Sequence, residues 1–463
     1  MLGKVFKAYD VRATYPRPLN EKLAWQIGFG AAEHLLSEAV AAGRHDPMAR
    51  HLVVGRDMRC SSPSLSAALC TGIRAAGGNV LDIGEVDTPC VYFAINHFDA
   101  AGGIQVTASH NPASYNGFKI SGLAARPIGE GSGLEHIRRL AAIARPEKAT
   151  GEGHEETRDV WSAYRTWLLD RLAPSIVEGT RTFKVVVDAS NGMAGAMVPK
   201  VFGGVKGLEL ITLNLTMDGT FVHDPNPLVE KNVVPTQEAV RTHGADFGVC
   251  FDGDADRCVV VDETGTTVPC DLLLAWMVEG TLAHDAGAAI IYDIRSSRAV
   301  RSAIEAAGGR PVESRVGHVF MKAALAEHDA PLGGEVSGHF YFRDMFKADS
   351  GARAFIEVCN QLAADGGPLS DRIAPHDTYA RSGEINFEVD DTAASIEELA
   401  ERFKECERRD VDGMSLDGGE WWCNVRASNT EPLLRLNLEA RDSKTLDEMM
   451  RVFEDVLGQP VDH

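Results

Sequence analysis

At roughly 150 residues per domain, a chain of 463 residues has room for about three or four domains, each able to bury a core without disulfide or metal staples. The 46 basic and 67 acidic residues leave a net charge of −21, which repels polyanions at long range and disfavours a nucleic-acid partner. No stretch nears the ~18 uninterrupted apolar residues of a membrane span, and M-L-G-K-V-F-K-A-Y-D has no signal-like apolar region.

The nine cysteines are scattered without C-x-x-C pairs, so a cytoplasmic chain with reduced thiols and no membrane partner is expected. A small phosphorylated ligand stays eligible. It would have to be held by a few local cations acting within about one Debye length, roughly 10 Å.

In chain order, the first of three stretches that echo one another is H-L-V-V-G-R-D-M-R-C-S-S (51–62), a short apolar strand running into an Asp-bearing turn. A helix candidate follows and closes on A-A-G-G (75–78), glycine being the expected stop signal. The same sequence of strand, Asp-bearing turn and helix recurs at F-K-V-V-V-D-A-S-N-G-M (183–193) and at A-A-I-I-Y-D-I-R-S-S-R (288–298), the latter helix closing on A-A-G-G (306–309). Strands alternating with helices predict three related α/β domains, whose ligands gather at the carboxyl ends of strands.

R-P-E-K-A-T-G-E-G-H-E-E-T (145–157) and A-D-G-G-P-L-S-D (364–371) read as linkers. S-I-E-E-L-A-E-R-F (395–403) opens like a capping box, with Ser395 and Glu398 as reciprocal caps. L-L-R-L-N-L-E-A (433–440) alternates with period two, as a half-buried antiparallel strand does. The expected domains are 1–150, 151–262, 263–368 and, as a smaller α+β unit, 369–463.

Two motifs carry the most chemistry. T-A-S-H-N-P-A-S-Y-N-G-F-K (107–119) follows the apolar run G-G-I-Q-V. Ala108 and His110 flank its serine, so it fails the G-x-S-x-G test of a serine hydrolase. Asn-Pro and Asn-Gly make it a turn in any case, and the serine could be turn punctuation. A serine hydroxyl beside a divalent metal can instead carry a phosphoryl group, with Lys119 as a nearby cation.

F-D-G-D-A-D-R (251–257) supplies the metal reading: Asp252, Asp254 and Asp256 alternate between two apolar strand candidates, and acids pinned there would repel unless a cation neutralised them. An EF-hand is excluded by Arg257, which stands where that loop needs glycine. A strand ending in D-x-D also leaves an aspartyl-phosphate phosphatase open.

Three further loops are weaker. In G-E-V-S-G-H-F (334–340) an extended loop would aim Glu335, Ser337 and His339 to one side, which suits vicinal sugar hydroxyls. R-A-S-N-T-E-P (426–432) crowds donors fit for a phosphate, or is an ordinary turn joining two strands. V-G-H (316–318) is the least informative, since a lone histidine is more often structural.

Together these motifs resemble the α-D-phosphohexomutases, in the branch acting on mannose and glucose phosphates, over K-A-Y-D-V-R (7–12) through R-A-S-N-T (426–430). The resemblance implies four domains around a central cleft, three α/β and one like the TATA-box-binding protein. It implies Ser109 as a phosphoserine, with one Mg²⁺ held by Asp252, Asp254, Asp256 and the serine phosphate. Arg12, His110, Lys119 and Arg257 would surround the transferring group. Glu335 and Ser337, helped by His339 and His318, would hold sugar hydroxyls. Arg426, Ser428, Asn429 and Thr430 would hold the idle phosphate, with Tyr9 and Arg295 as further ligand contacts. Relatives carry glycine where this chain has Ala13, which would be costly if that position needs a positive φ.

The implied reaction moves a phosphoryl group between O1 and O6 of a hexose phosphate through a hexose 1,6-bisphosphate, by a monomeric enzyme. Two phosphates bring about −3 to −4 of charge, which a chain at −21 accommodates only through a local cationic lining. A phosphatase and a non-catalytic sugar-phosphate binder are the alternatives.

Overall fold

The computed structural model describes residues 2–149, 151, 153–427 and 433–461. Three of its four sheets repeat one pattern of four strands. In the first, His51–Arg56 runs parallel to Asn79–Glu85 on one side and to Gly102–Val106 on the other, and Gly102–Val106 pairs antiparallel with Tyr115–Ser121. The second sets Phe183–Asp188 between Leu208–Leu213 and Phe247–Phe251, which turns back antiparallel into Cys258–Asp262. The third sets Ala289–Asp293 between Arg310–Ser314 and Leu332–Gly334, which turns back into Phe340–Phe342.

Apolar runs such as F-G-V-C-F and A-I-I-Y-D are buried at every residue, because helices cover both faces of these sheets. The helices Ser62–Ala75 and Arg298–Ala306 do stop at their A-A-G-G signals, where Gly77 and Gly308 take φ of 83° and 74°.

One continuous core joins these three units. Phe93 packs against Tyr164 at 5.3 Å between ring centroids, and Phe355 meets Phe202 at 4.9 Å and Phe247 at 6.1 Å. The C-terminal unit has its own core around Phe387, Leu416, Leu436 and Phe453. Its sheet is antiparallel. Leu433–Ala440 lies between Trp421–Ala427 and Ala380–Glu388, with Leu434, Leu436 and Leu438 inward as the alternation predicts. Glu439, on the other face, is buried too, because Trp422 and the backbone of Arg298 bond to it.

Three expectations change. Residues 155–157, expected in a linker, form a strand on the edge of the first sheet beside Val80–Asp82. The segment 369–373, at the second expected linker, is helical, and Leu369 and Ile373 join the large core. The capping box at Ser395 is not used. The helix starts at Thr392 on Asp391, whose carboxylate accepts from the N–H of Ala393 (2.9 Å) and Ala394 (3.0 Å). An acceptor one turn earlier captures the free N–H groups first, which leaves Ser395 inside the helix with its hydroxyl on Asp391 O. No helix among the described residues is long and apolar enough to cross a membrane.

Candidate active site

The repeated strand pattern explains where the chemistry-bearing motifs lie. Each of the three sheets ends its antiparallel pair in a connecting loop, and these loops are residues 107–114, 252–257 and 335–339. Each turns on one left-handed residue: Ser109 at φ 50°, Ala255 at φ 57° and Gly338 at φ 82°. For the two non-glycine residues that conformation costs on the order of 1 kcal/mol, so surrounding bonds must hold it. The loops also stack on one another. Gly253 lies so close to the first loop that a Cβ would stand 2.4 Å from Ser109 O, which explains the glycine in D-G-D. Arg257 and His339 form an antiparallel bridge, with Cys258 N–H donating to Gly338 O at 3.0 Å.

Ser109 is 2% exposed, and its hydroxyl donates to Asp252 Oδ2 at 2.8 Å. Asp252, Asp254 and Asp256 are fully buried, with ligand atoms within 4.8 Å of one another. Lys119, on the strand leaving the serine loop, donates to Asp254 Oδ2 (2.7 Å) and Asp256 Oδ2 (2.5 Å). Burial opposes its charge, but Asp254 and Asp256 outweigh burial and raise its pKa. Burial, then repulsion from Asp256 and Asp254, pushes Asp252 well above the carboxylate range. Asp256 goes the other way: burial opposes ionisation, but Lys119, His339 and Arg257 outweigh it and hold the group well below that range.

Three buried carboxylates share one directly bonded ammonium, with Arg257 Nε 3.8 Å from Asp252 Oδ2 and His339 Nε2 3.4 Å from Asp256 Oδ1, and Asp254 Oδ1 and Asp256 Oδ1 are buried without a hydrogen-bond partner. An all-oxygen set with orphaned acceptors fits a small hard dication.

The other expected groups gather around this centre. Arg12 donates to Asn111 Oδ1 at 2.7 Å and to Asp10 Oδ2 at 2.5 Å. Ala13 lies in the strand Val11–Thr14 and is not among the left-handed residues, so its methyl costs nothing there. His110 Nδ1 stands 3.4 Å from Ser109 Oγ, and burial, then Arg257 and Arg12, holds it well below its ordinary pKa, hence neutral. Arg257 donates its N–H to Asp252 Oδ1 (3.2 Å) and its Nε to His339 Nε2 (3.4 Å).

The third loop differs in shape from the expectation. Residues 335–339 are a tight turn closed by Gly338 N–H on Glu335 O, because Gly338 supplies the left-handed corner between two short strands. The turn still brings the three side chains together: Ser337 Oγ is 2.8 Å from His339 Nδ1, and Glu335 Oε2 is 3.5 Å from it. Glu335 also accepts from Gly317 N–H (2.9 Å) and Tyr341 OH (2.5 Å). His318 opens the helix His318–His328, and its ring lies 6.0 Å from that of Tyr9, whose OH donates to Val316 O at 3.3 Å. Burial, with Lys322 and Lys119 nearby, keeps His318 neutral.

In the C-terminal unit Arg426 donates to Glu384 Oε2 at 2.7 Å, Arg435 donates to Glu384 Oε1 at 2.9 Å, and Arg295 stands 3.8 Å away. Ser428, Asn429 and Thr430 lie outside the described residues. Sequence reasoning missed Glu384. It also missed Thr88, whose hydroxyl donates to Asp254 Oδ2 at 2.5 Å, and Asp349, which lies 3.9 Å from His339 and is paired to Lys322 at 2.6 Å. Glu384 sits in mid-strand, Thr88 at a helix start and Asp349 at a strand end, none with a motif of its own, so only their neighbours in space mark them.

Models of the four domains of phosphoglucomutase/phosphomannomutase match this chain: alpha/beta/alpha domain I over residues 3–142, domain II over 169–265, domain III over 270–379 and the C-terminal domain over 384–456. The chain belongs to the phosphoglucomutase/phosphomannomutase family and is an isomerase. It is 39% identical over 447 residues to phosphohexose mutases of Xanthomonas campestris pv. campestris (strain B100), covering 95% of this chain and 96% of that one. It is 38% identical over 468 residues to a phosphomannomutase of Salmonella typhimurium (strain LT2), covering 98% and 99%. A phosphoglucomutase/phosphomannomutase family protein from Burkholderia thailandensis has a TM-score of 0.86 at 31% identity, over 99% of this chain and 98% of that one.

Proposed function

We propose that this phosphohexose mutase interconverts the 1- and 6-phosphates of mannose and of glucose by way of phosphoserine 109 and a hexose 1,6-bisphosphate. The observation that carries the reading is the Ser109 hydroxyl bonded to Asp252 at 2.8 Å inside a buried carboxylate cluster. Asp252, Asp254, Asp256 and an oxygen of the Ser109 phosphate would hold Mg²⁺, which would cancel charge on the non-bridging phosphoryl oxygens. Lys119, Arg12 and Arg257 add fixed positive charge on the remaining sides. Neutral His110 can take up the proton that Ser109 loses when it receives the phosphoryl group. Glu335, Ser337 and His339 orient sugar hydroxyls, and Arg426 with Arg295 holds whichever phosphate is not reacting. A ligand that turns over between half-reactions needs recognition groups that accept either end, which fits a separate fourth domain carrying the phosphate grip. We also read the enzyme as cytoplasmic and monomeric. All nine cysteines are free thiols, which fits a reducing compartment.

The test is incubation with glucose 1-phosphate, mannose 1-phosphate and glucosamine 1-phosphate. Glucose 6-phosphate and mannose 6-phosphate at comparable rates support the reading. Release of free phosphate makes the enzyme a hydrolase, and dominance of glucosamine 1-phosphate overturns the substrate assignment. The purified active chain should carry an increment of about 80 Da, one phosphate, on Ser109.

A further inference from the structure

The three repeated sheets share a second feature. At the carboxyl end of the central strand of each stands a fully buried aspartate, Asp188 and Asp293 as its last residue and Asp57 as the next residue after it. Each carboxylate accepts the backbone N–H two residues on, from Arg59 (3.0 Å), Ser190 (2.8 Å) and Arg295 (2.7 Å). Each of these turns then reaches the site loop of its own sheet. Ser190 Oγ donates to Phe251 O at 2.7 Å, one residue before the carboxylate loop. Asp293 Oδ2 accepts from Val336 N–H at 3.0 Å, inside the sugar loop. In the first sheet the link is much heavier. Arg59 Nη2 donates to Ser109 O and Asn111 O, both at 2.7 Å, and Nη1 donates to Pro112 O at 2.8 Å and Tyr115 O at 3.1 Å. Its Nε goes to Asp57 Oδ2 at 3.0 Å, and Asp57 is braced in turn by the Ser62 hydroxyl at 2.5 Å.

We propose that Arg59 is the positioning residue of the phosphoryl-carrying turn, holding Ser109 in its left-handed conformation with its oxygen against the carboxylate cluster. The proposal rests on the assignment of Ser109 as the carrier. All five side-chain N–H groups of Arg59 are used, and the side chain has no exposure. Four carbonyls drawn from residues 109–115 therefore converge on one guanidinium, and without it those of Ser109, Asn111 and Tyr115 would lose this partner, while Pro112 O would keep only the N–H of Tyr115 at 3.0 Å. A left-handed serine relaxes toward right-handed backbone once that grip is lost, and the relaxation swings Oγ away from Asp252. Lysine cannot substitute, since a single ammonium with three donors does not span four acceptors. Arg295, the equivalent residue of the third sheet, shows the contrast. Its own aspartate takes Nε and Nη2, while Nη1 faces Glu384 at 3.8 Å across the domain junction. One copy of the turn holds a loop, and the other faces the ligand side.

The experiment is R59K, assayed with glucose 1-phosphate under saturating glucose 1,6-bisphosphate, together with amide hydrogen exchange over residues 107–116. The expected result is a kcat lower by about a hundredfold, the scale for an ångström-sized misplacement, with KM changed less than about threefold. Amide protection of 107–116 is expected to fall while that of 335–339 is kept. Should R59K not fold, D57N keeps the guanidinium but loosens its aim, and predicts the same split at smaller size. A folded R59K with parental kcat and parental protection overturns the proposal, as does a KM that rises in step with the loss of kcat. If the parent chain does not isomerise hexose phosphates, the assignment of Ser109 fails, and the exchange measurement alone still decides whether Arg59 holds the turn.

Discussion

The two halves of the site are built differently. On the first and second domains, Ser109 and three aspartates are buried and bonded, together with the largely covered Lys119, across a continuous core. On the third and fourth, Glu384 is shared between Arg426 and Arg435 with 29% of its side chain exposed, on a domain whose core is separate. The first arrangement suits a step in which charge must develop at one fixed point, since preorganised groups need no rearrangement there. The second suits a ligand that comes and goes in two orientations, because a carboxylate can keep the arginines ordered until a phosphate replaces it. Perturbations of the buried half should therefore remove turnover, and those of the open half should mostly move affinity.

Ser109→Ala is the largest test. It should lower mutase turnover by roughly four orders of magnitude or more, as loss of an essential nucleophile does, and abolish the phosphate increment on the chain. Asp254→Asn comes next. Asp254 carries one orphaned oxygen and accepts from Lys119 and Thr88 through the other, so the amide should cost roughly 10²–10³ in kcat. Stripping the parent with a chelator should mimic that loss, and added Mg²⁺ should reverse it in the parent but not in the variant. A chelated parent with full activity would break the metal reading of the buried half.

The buried half was also the more legible in sequence. T-A-S-H-N-P and D-G-D-A-D-R state their residues in consecutive runs, because each fills a single loop between two strands. The stretches repeated at 51–62, 183–193 and 288–298 announced three related units, and the sheets carry that repetition strand by strand. What sequence reading lost was contact between distant segments. Arg59 stands in the first of those stretches, yet nothing local says that it binds four carbonyls some fifty residues on. Glu384 lies in an unremarked strand, and only the arrival of Arg435 from the neighbouring strand and Arg426 from the one beyond gives it meaning. The shape of the 335–339 loop was misread because alternation in sequence implies one face only for extended backbone, and Gly338 bends this one.

On the side of the third and fourth domains, where Glu335 is itself buried, Glu335→Gln should act through recognition. The carboxylate accepts from Gly317 N–H and Tyr341 OH, and the amide keeps only one acceptor oxygen. Catalytic efficiency toward both glucose 1-phosphate and mannose 1-phosphate should fall about ten- to a hundredfold, the range for an imperfectly paired buried polar group. Phosphorylation of Ser109 by glucose 1,6-bisphosphate should be much less affected. An equal loss in both measurements would mean that the two halves are not separable.

The smallest effect is the pH dependence of Glu384. Burial alone would raise its pKa, but Arg426, with Arg295 and Arg435, outweighs burial and holds the carboxyl below its ordinary value. A depressed folded-state pKa stabilises the fold above the unfolded value of about 4.3, and that contribution is lost as pH falls through the folded value. Thermal melts followed by the fluorescence of Trp421 and Trp422 should therefore separate the parent from Glu384→Gln by a constant amount between about pH 6 and 8. The gap should close as the pH is taken below about 4, and it should stay under about 1 kcal/mol because the pair is partly solvated. A gap that widened in acid would mean that the carboxylate is a burden among these arginines. The open half would then be waiting for a phosphate with its cations unpaired, and not holding them in order until one arrives.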